Sequence, residues 1–182
     1  QLKKEYPFSY KKTPNIKTQE VISKIYELTR GQEPFITTGV GNHQMMSCQF
    51  YRWSKPRSII SSGSLGTMGF GLPSAIGVQV ANPKSKVYCI DGDGSLIMTL
   101  NDLATVREHN LPIKIFIMND SRQQMVHIWQ KLFFNSRFIS TDNLNPDFNL
   151  LAESFGIESI RIQDRDELEA GLQLALEYDG PV

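Results

Sequence analysis

The sequence lacks the features that mark several large classes of protein. Its 19 lysines and arginines balance its 19 aspartates and glutamates, so there is no excess positive charge to attract nucleic acid or an anionic membrane. No apolar run approaches the length of a transmembrane helix, and no signal peptide is recognisable. We therefore expect neither nucleic acid nor a membrane among the partners of this chain.

Cysteine is also scarce. The two cysteines, Cys48 and Cys89, do not have the spacing of a metal or redox site. Cys89 lies within the apolar run of a predicted strand, so we expect a residue of the core rather than a reactive thiol. This use of cysteine indicates a reducing compartment, which is the cytoplasm or, in a eukaryote, the interior of an organelle.

The order of the predicted elements indicates the fold class. Residues 1–16, with two prolines and little periodicity, are predicted to be a linker from a preceding domain, and residues 17–182 to be one domain. Strands alternate with helices there, which predicts a doubly wound α/β fold, a mostly parallel sheet with helices on both faces. Strands are predicted at 35–38, 58–61, 86–90, 113–118 and 157–162, with another beginning at 180–182. Helices are predicted at 18–31, within the small-residue stretch 63–77, and near 122–130, 147–155 and 165–178.

Polar residues follow two of the predicted buried strands. Gly92-Asp93-Gly94-Ser95 comes after the strand at 86–90, and Asn119-Asp120 comes after the strand at 113–118. In a parallel sheet both strand ends reach the same edge, where open α/β folds bind ligands. Oxygen ligands that converge there suit a hard cation such as Mg²⁺, which commonly holds a phosphorylated cofactor. A Gly-Asp-Gly turn alone is weak evidence, because such turns are frequent in structural loops.

Several further motifs, in order along the chain, resemble one family. They are Gly39-Val40-Gly41-Asn42-His43-Gln44-Met45, the glycine-rich run 64–73, Met125-Val126-His127-Ile128-Trp129-Gln130 and Asn145-Pro146-Asp147-Phe148. Together with the Gly-Asp-Gly and Asn-Asp motifs, they are similar to the catalytic subunit of acetolactate (acetohydroxyacid) synthase. The resemblance runs from about residue 15 to residue 182 and is to the C-terminal domain, which binds the diphosphate of thiamine diphosphate (ThDP).

The resemblance implies roles for individual residues. Asp93 and Asp120 would be metal ligands, and Arg122 would offer its backbone carbonyl to the same Mg²⁺. The residues that would contact ThDP are Val40, Gly41, Asn42, His43, Gly66, Met68, Gly94, Ser95, Gln124, Met125 and Val126. Of these, Met68 resembles the apolar residue that keeps the two rings of ThDP folded together. Trp129 would border the substrate pocket, although a tryptophan in a helix is more often a packing residue.

The chain departs from the family pattern at several positions. Asp120 stands where the family has a second asparagine, and an alternative is that Asn119 turns inward while Asp120 lies in a solvated turn. Gln124 stands where a glycine is usual. Asn42, Met46 and Ser64 replace a glutamine, a tryptophan and a glycine. These departures leave the predicted fold unchanged and concern activity and substrate range.

The resemblance also implies a reaction and partners. The family decarboxylates pyruvate and joins the remainder to a second 2-ketoacid, a step of branched-chain amino-acid biosynthesis. Its activating glutamate belongs to a separate domain that no segment here resembles, so we expect this chain alone to be inactive. A homodimer or tetramer, a regulatory subunit, and FAD on a middle domain are implied for the full-length protein. Two alternatives are another ThDP-dependent carboligase or decarboxylase and a non-catalytic scaffold with the same fold.

Overall fold

The computed structural model describes residues 5–182, and its centre is a sheet of four parallel strands. The strands are β1 (Phe35–Thr38), β2 (Ile59–Ser61), β3 (Val87–Gly92) and β4 (Lys114–Met118). Their order across the sheet is β2-β1-β3-β4, and every neighbouring pair is parallel. The carboxyl ends of all strands therefore lie at one edge, as the sequence predicts.

Eight α-helices surround this sheet in the described part of the chain. They are α1 (Thr18–Leu28), α2 (Asn42–Phe50), α3 (Gly71–Ala81), α4 (Asp93–Leu96), α5 (Asp102–Glu108), α6 (Gln124–Phe133), α7 (Phe148–Ser154) and α8 (Leu168–Glu177). Short 3₁₀ turns at Ile97–Thr99 and Arg165–Glu167 precede α5 and α8. Within residues 5–182, no helix combines the length and apolarity needed to cross a bilayer.

Two apolar clusters cover the two faces of the sheet. Tyr88 and Ile90 of β3 pack in one cluster with residues of α1 and α8. The alternate residues Val87 and Cys89 pack in the other with residues of α3 and α5. This alternation is that of a strand buried on both faces, and it confirms the predicted doubly wound α/β class. Cys89 is fully buried, and burial raises the pKa of its thiol well above its usual range, as expected of a core residue.

Three predicted elements differ from the structure. No strand is formed at 180–182, although Val182 exchanges two backbone hydrogen bonds with Ile113 and Ile115. The stretch 63–77 was expected to be helical, but the helix begins only at Gly71, because Gly66 and Gly69 adopt φ angles of 63° and 80°, which a right-handed helix does not contain. The strand prediction at 157–162 is wrong, since this segment is irregular and pairs with no strand among residues 5–182. Its side chains Ile157, Ile160 and Ile162 nevertheless pack against the two apolar clusters.

The described part of the predicted linker, residues 5–16, contacts the domain. Phe8 and Tyr10 lie against the ring of Phe50, with ring centroids 6.1 and 5.6 Å away. The Arg165 guanidinium donates hydrogen bonds to the carbonyls of Thr13 and Asn15. The role of this segment as a connection between domains stays a prediction, and residues 1–4 lie outside the described part of the chain.

Candidate functional site at the carboxyl edge of the sheet

Loops that follow three of the strands meet at the carboxyl edge. Gly39 follows β1 and lies so close to β3 that a Cβ atom added there would stand 1.7 Å from Asp91 Oδ1 and 2.4 Å from Ser95 Oγ. The loop before α3 joins the same centre, since the Gly69 N–H donates to Ser95 Oγ at 3.0 Å. The hydroxyl of Thr99 donates back to the Gly69 carbonyl at 3.1 Å. Backbone from distant parts of the sequence is therefore held at van der Waals contact around Asp91 and Ser95.

Asp93 is the centre of a small group of oxygen atoms. It begins α4 directly after β3 and is buried, with 3 % of its surface exposed. The Asn145 amide donates to Asp93 Oδ2 at 2.6 Å and to Asn119 Oδ1 at 2.8 Å, so one nitrogen lies between two side-chain oxygens. The remaining amide oxygen, Asn145 Oδ1, is buried without a hydrogen-bond partner. A half-turn of this amide would bring three oxygens to one point, which is the donor set that Mg²⁺ prefers.

Asp120 stands beside this group. The residue is exposed, yet partial desolvation of its carboxyl and, next in size, repulsion from Asp93 raise its pKa. A cation between Asp93 and Asp120 would relieve that repulsion. The structure thus joins Asn119 to the site by a hydrogen bond and brings Asp120 close enough to Asp93 for the two carboxylates to repel each other. The role of Asp120 as a metal ligand stays a prediction.

The segment after β4 is fixed by a second loop. Ser121 adopts a φ of 55°, and its carbonyl accepts from the Asn143 N–H at 2.8 Å. Arg122 forms a β-bridge with Asp142 and donates from Nε to the Asp142 carboxylate at 2.9 Å. The Arg122 side chain is thus held outside the site, which agrees with a role for its backbone alone. That backbone role stays a prediction.

His43 lies in the first turn of α2 and is buried between two strand ends. Its ring is packed against glycine backbone, since an added Cβ at Gly92 would stand 2.6 Å from His43 Nδ1 and one at Gly41 would stand 3.2 Å from Cε1. His43 Nε2 is 3.3 Å from Asp91 Oδ1 without the geometry of a hydrogen bond. Asp91 Oδ2 is also buried without a partner. Buried polar atoms without partners are rare in folded proteins, and their concentration here is typical of a binding site.

The other predicted diphosphate contacts form a rim around this centre. Ser95 is buried and accepts from the Gly69 N–H. Gly94 is covered by the Gln123 amide, which an added Cβ would meet at 2.4 Å. Gly66 lies within 3.8 Å of the Val40 side chain by the same measure. Met68, two residues after Gly66, is half-buried.

Helix α6 carries the remaining predicted residues and leaves its apolar face uncovered. Gln124 and Met125 are partly buried in its first turn, whereas Val126 and Trp129 are 47 % and 54 % exposed. The Trp129 ring contacts the Phe133 ring, with centroids 5.1 Å apart. Trp129 is therefore not a packing residue of this domain's core, which leaves it free to border a pocket.

Sequence reasoning missed three side chains at this edge. Asn145 enters the sequence analysis only as part of a motif, and Asp91 and Gln123 do not enter it at all. A charged residue inside an apolar strand is a signal that would have identified Asp91, since buried carboxylates are rare unless they are paired. Among the described residues, no group of three or more His, Cys, Asp or Glu side chains is placed to hold a metal ion. A cation here would therefore need amide and carbonyl oxygens, such as those of Asn119, in addition to carboxylates.

Comparison with known proteins gives consistent matches. Residues 39–182 match the family model described as the thiamine pyrophosphate enzyme C-terminal TPP binding domain. The chain is 46 % identical over 185 aligned residues to the mitochondrial acetolactate synthase catalytic subunit of Saccharomyces cerevisiae, covering 99 % of this chain and 27 % of that protein. It is 40 % identical to chloroplastic acetolactate synthase 1 of Zea mays, covering 100 % of this chain and 30 % of that protein. It is 47 % identical to the large subunit of acetolactate synthase isozyme 2 of Escherichia coli, covering 80 % and 27 %. The chain spans less than a third of the length of these relatives.

Proposed function

Because the chain belongs to the family of C-terminal TPP binding domains of thiamine pyrophosphate enzymes, we propose that it holds the Mg²⁺–diphosphate end of that cofactor within an acetolactate synthase. Thiamine pyrophosphate is another name for ThDP. The observation that carries the proposal is the group of oxygens around Asp93, at the edge where open α/β sheets bind ligands. The similarity to proteins named acetolactate synthase supports the choice of reaction.

In this proposal Asp93 is the central metal ligand. Asn119 and Asp120 supply further oxygens. Asn119 shares the Asn145 amide donor with Asp93, and the Asp120 carboxyl is close enough to Asp93 to be repelled by it. The Arg122 carbonyl adds another, with its side chain tied to Asp142. Oxygens of the bound diphosphate complete the shell, as is usual for Mg²⁺ held by a few carboxylates.

The diphosphate itself is bound by groups that favour an anion. His43 has a buried ring nitrogen without a partner. Gly41 lies against the same ring, and Gly94 and Ser95 lie in α4 directly after Asp93. Asn42, Val40 and Gly66 line the approach from the first loop. Met68, Gln124, Met125 and Val126 contact the rings of the cofactor, and Trp129 borders the pocket for the ketoacids.

When bound, ThDP supplies a thiazolium carbon that accepts the electrons released as a 2-ketoacid loses carbon dioxide. The residues of this chain bind and orient the cofactor for that step, and the ketoacids, pyruvate among them, are the substrates. A second copy of the full-length protein, in a dimer or tetramer, completes the site with its other domains. The names "catalytic subunit" and "large subunit" of the relatives support a regulatory partner.

Two further proposals concern the full-length protein. FAD, if it is bound, is held by domains other than this one. The compartment is the cytoplasm or an organelle, in keeping with relatives that are named mitochondrial or chloroplastic.

Product analysis of the full-length protein tests the proposed reaction. With ThDP and Mg²⁺, we expect acetolactate from pyruvate alone and the mixed acetohydroxyacid when 2-ketobutyrate is added. Decarboxylation without carbon–carbon bond formation would instead assign a different ThDP-dependent reaction. Binding of ThDP without turnover of any 2-ketoacid would assign a non-catalytic scaffold.

A further inference from the structure

One side-chain amide joins three segments of the chain at the candidate metal site. Asn145 lies in the loop before α7, and its amide nitrogen donates to Asp93 Oδ2 at 2.6 Å and to Asn119 Oδ1 at 2.8 Å. Asp93 follows β3 and Asn119 follows β4, so the two acceptors stand at the ends of neighbouring strands. An amide nitrogen carries two protons and can therefore serve both acceptors at once.

The backbone on both sides of Asn145 is anchored. Pro146 follows it, and the residue before a proline is restricted to extended conformations. Asp147 then caps α7 by accepting from two backbone N–H groups of the first turn, at 2.9 and 3.3 Å. On the other side, the Asn143 N–H donates to the Ser121 carbonyl at 2.8 Å, which ties the loop to the segment after β4. The Asn145 side chain is thus presented to the site by fixed backbone.

The hydrogen bonds of Asn145 leave room for a cation on both acceptors. The amide binds Asp93 Oδ2, so the other carboxylate oxygen, Oδ1, is left for a cation. The Asn119 carbonyl oxygen has two lone pairs, so it can accept from Asn145 and also bind a cation. Ligating groups in metal sites are commonly oriented by such outer hydrogen bonds, and loss of one partner typically costs about 10–100-fold in metal affinity.

We propose that Asn145 is a positioning residue of the Mg²⁺ site, whose amide nitrogen orients Asp93 and Asn119 before the cation binds and keeps both hydrogen bonds afterwards. The inference rests on the proposed function, because it requires that the edge around Asp93 holds Mg²⁺ and the diphosphate. Asn145 acts through its two acceptors and does not itself contact the cation.

A direct ligand role is the other use that this amide could have. Asn145 Oδ1 is buried without a hydrogen-bond partner, and a half-turn of the amide would aim this oxygen at a cation. The turn would give up both hydrogen bonds, and without a cation it would set Oδ1 against the oxygens of Asp93 and Asn119. The observed orientation orders the ligands before the site is occupied, and such support of the ligands by a surrounding residue favours the positioning role.

Calorimetric titration of the whole chain with ThDP and Mg²⁺ tests the inference. Asn145→Ala removes the donor, and we expect it to weaken Mg²⁺-dependent binding by about 10–100-fold. Asn149→Ala is the matched control, because the Asn149 amide also joins two segments, donating to Ser159 Oγ at 2.9 Å, but lies outside the site. The control should bind ThDP and Mg²⁺ as the original chain does.

Nuclear magnetic resonance of the side-chain amides separates the positioning role from the ligand role. The signal of the Asn145 amide is identified as the one that Asn145→Ala lacks. We expect its protons to exchange at least about tenfold more slowly than those of the exposed Asn135, both in EDTA and with Mg²⁺ and ThDP bound, because both hydrogen bonds persist.

The outcomes distinguish this inference from the proposed function. Equal binding by Asn145→Ala and the original chain would overturn the inference alone, as would equal weakening in Asn149→Ala, which would mean a general loosening of the loops. Loss of the slow exchange when Mg²⁺ and ThDP bind would also overturn it, because the amide would then have turned to ligate the cation. Absence of Mg²⁺-dependent binding by the original chain would overturn the proposed function and this inference with it.

Discussion

At the scale of single residues, the candidate site is a set of polar groups whose state depends on their neighbours. Asp93 and Asn119 share one amide donor, and Asp120 stands close enough to Asp93 for the two carboxyls to repel each other. Such a group is less stable without a cation than with one. The charge of Asp120 therefore distinguishes the two interpretations of this residue, as a metal ligand or as part of a solvated turn.

Replacement of Asp120 by Asn should stabilise the metal-free chain at neutral pH. The folded-state pKa of Asp120 is raised by desolvation and by Asp93, so the folded chain binds a proton more tightly than the unfolded chain, whose carboxyl has a pKa of about 3.9. Ionisation then costs stability as pH rises from that value through the folded pKa. Asp120→Asn removes this cost, so its advantage should be present at pH 7 and disappear toward pH 4.

Urea unfolding in EDTA from pH 4 to 7 measures this difference. Asp164→Asn is the matched carboxyl-to-amide control, because Asp164 is exposed and lies outside the candidate site. An Asp120→Asn advantage that did not change with pH would show that the carboxyl is free of Asp93.

Sequence reasoning located Asp93 because a single carboxylate after a buried strand is a local pattern. It did not find the contact of Asn145 with Asp93, because the two are 52 residues apart and meet only through the folding of the loop before α7. Periodicity and turn chemistry report on neighbours in sequence. Contacts between loops depend on the path of the whole chain.

At the scale of elements, the site is built where strand ends and helix starts approach without side chains between them. A Cβ at Gly39 would overlap the Asp91 carboxylate, and a Cβ at Gly71 would stand 2.5 Å from Asp91 Oδ2 and 2.7 Å from the Gly39 nitrogen. The ends of β1 and β3 and the start of α3 are thus in direct backbone contact. The glycines at these positions are required by that contact rather than by a positive φ angle.

Gly39→Ala should therefore lower the free energy of unfolding by about 1–3 kcal/mol or more, which is the cost of overpacking a well-packed core. Gly77→Ala is the matched control, because Gly77 lies in α3 with no other atom within 4 Å of an added Cβ. The control should gain up to about 1 kcal/mol from helix propensity. Urea unfolding of both variants measures this, and equal stability of the two would contradict the close contact.

Lys114 joins β4 to the end of the chain through hydrogen bonds to the carbonyls of Tyr178 and Gly180. Its titration should change the free energy of unfolding with pH. Desolvation, with repulsion from Lys86, lowers its pKa to about 8 despite the opposing effect of Asp179. The unfolded pKa is about 10.4, so between these values the unfolded chain holds more protons and stability rises with pH. The rise is at most about 1.4 kcal/mol per pH unit for one proton.

Lys114→Met removes this titration. The free energy of unfolding of the original chain should therefore rise relative to that of the variant between pH 8 and 10, while the two run parallel between pH 6 and 7.5. Urea unfolding over this range tests it. Parallel curves up to pH 10 would mean that Lys114 is charged and solvated as in the unfolded chain.

The elements also show which sequence patterns are enough to predict a strand or a helix. The apolar run at 113–118 forms β4 because it pairs with β3, whereas the equally strand-like 157–162 pairs with no strand in the described part of the chain and is irregular. Strand propensity describes a side chain's fit to a sheet surface and depends on a partner. The helix predicted near 122–130 did form, at 124–133, since its hydrogen bonds are internal.

At the scale of the whole molecule, the alternation of strands and helices was enough to predict the parallel sheet and its two helical layers. This alternation does not predict which other domains or subunits cover the surface of the domain. The apolar face of α6, with Leu132 and Phe133 exposed, has no cover among the described residues. The resemblance to acetolactate synthases implies that other domains and a second subunit complete such a site.

The purified chain alone should therefore make no acetolactate. The family's activating glutamate is on a domain that the sequence does not resemble, so the cofactor would be held at one end only. An assay with pyruvate, ThDP and Mg²⁺ checks this, with the full-length enzyme as the positive control. Turnover of about 1 per second or faster, a typical enzymatic rate, would contradict the assignment of this chain to one part of the site.

Calorimetric titration of the chain with ThDP tests most directly whether the edge around Asp93 holds a metal-bound diphosphate. We predict binding that requires Mg²⁺, is lost in EDTA, and is not shown by unphosphorylated thiamine. Asp93→Asn should weaken it at least about tenfold, or about 1.4 kcal/mol, whereas Asp164→Asn should leave it unchanged. Equal affinity of the Asp93→Asn variant and the original chain, or binding that persists in EDTA, would contradict the account.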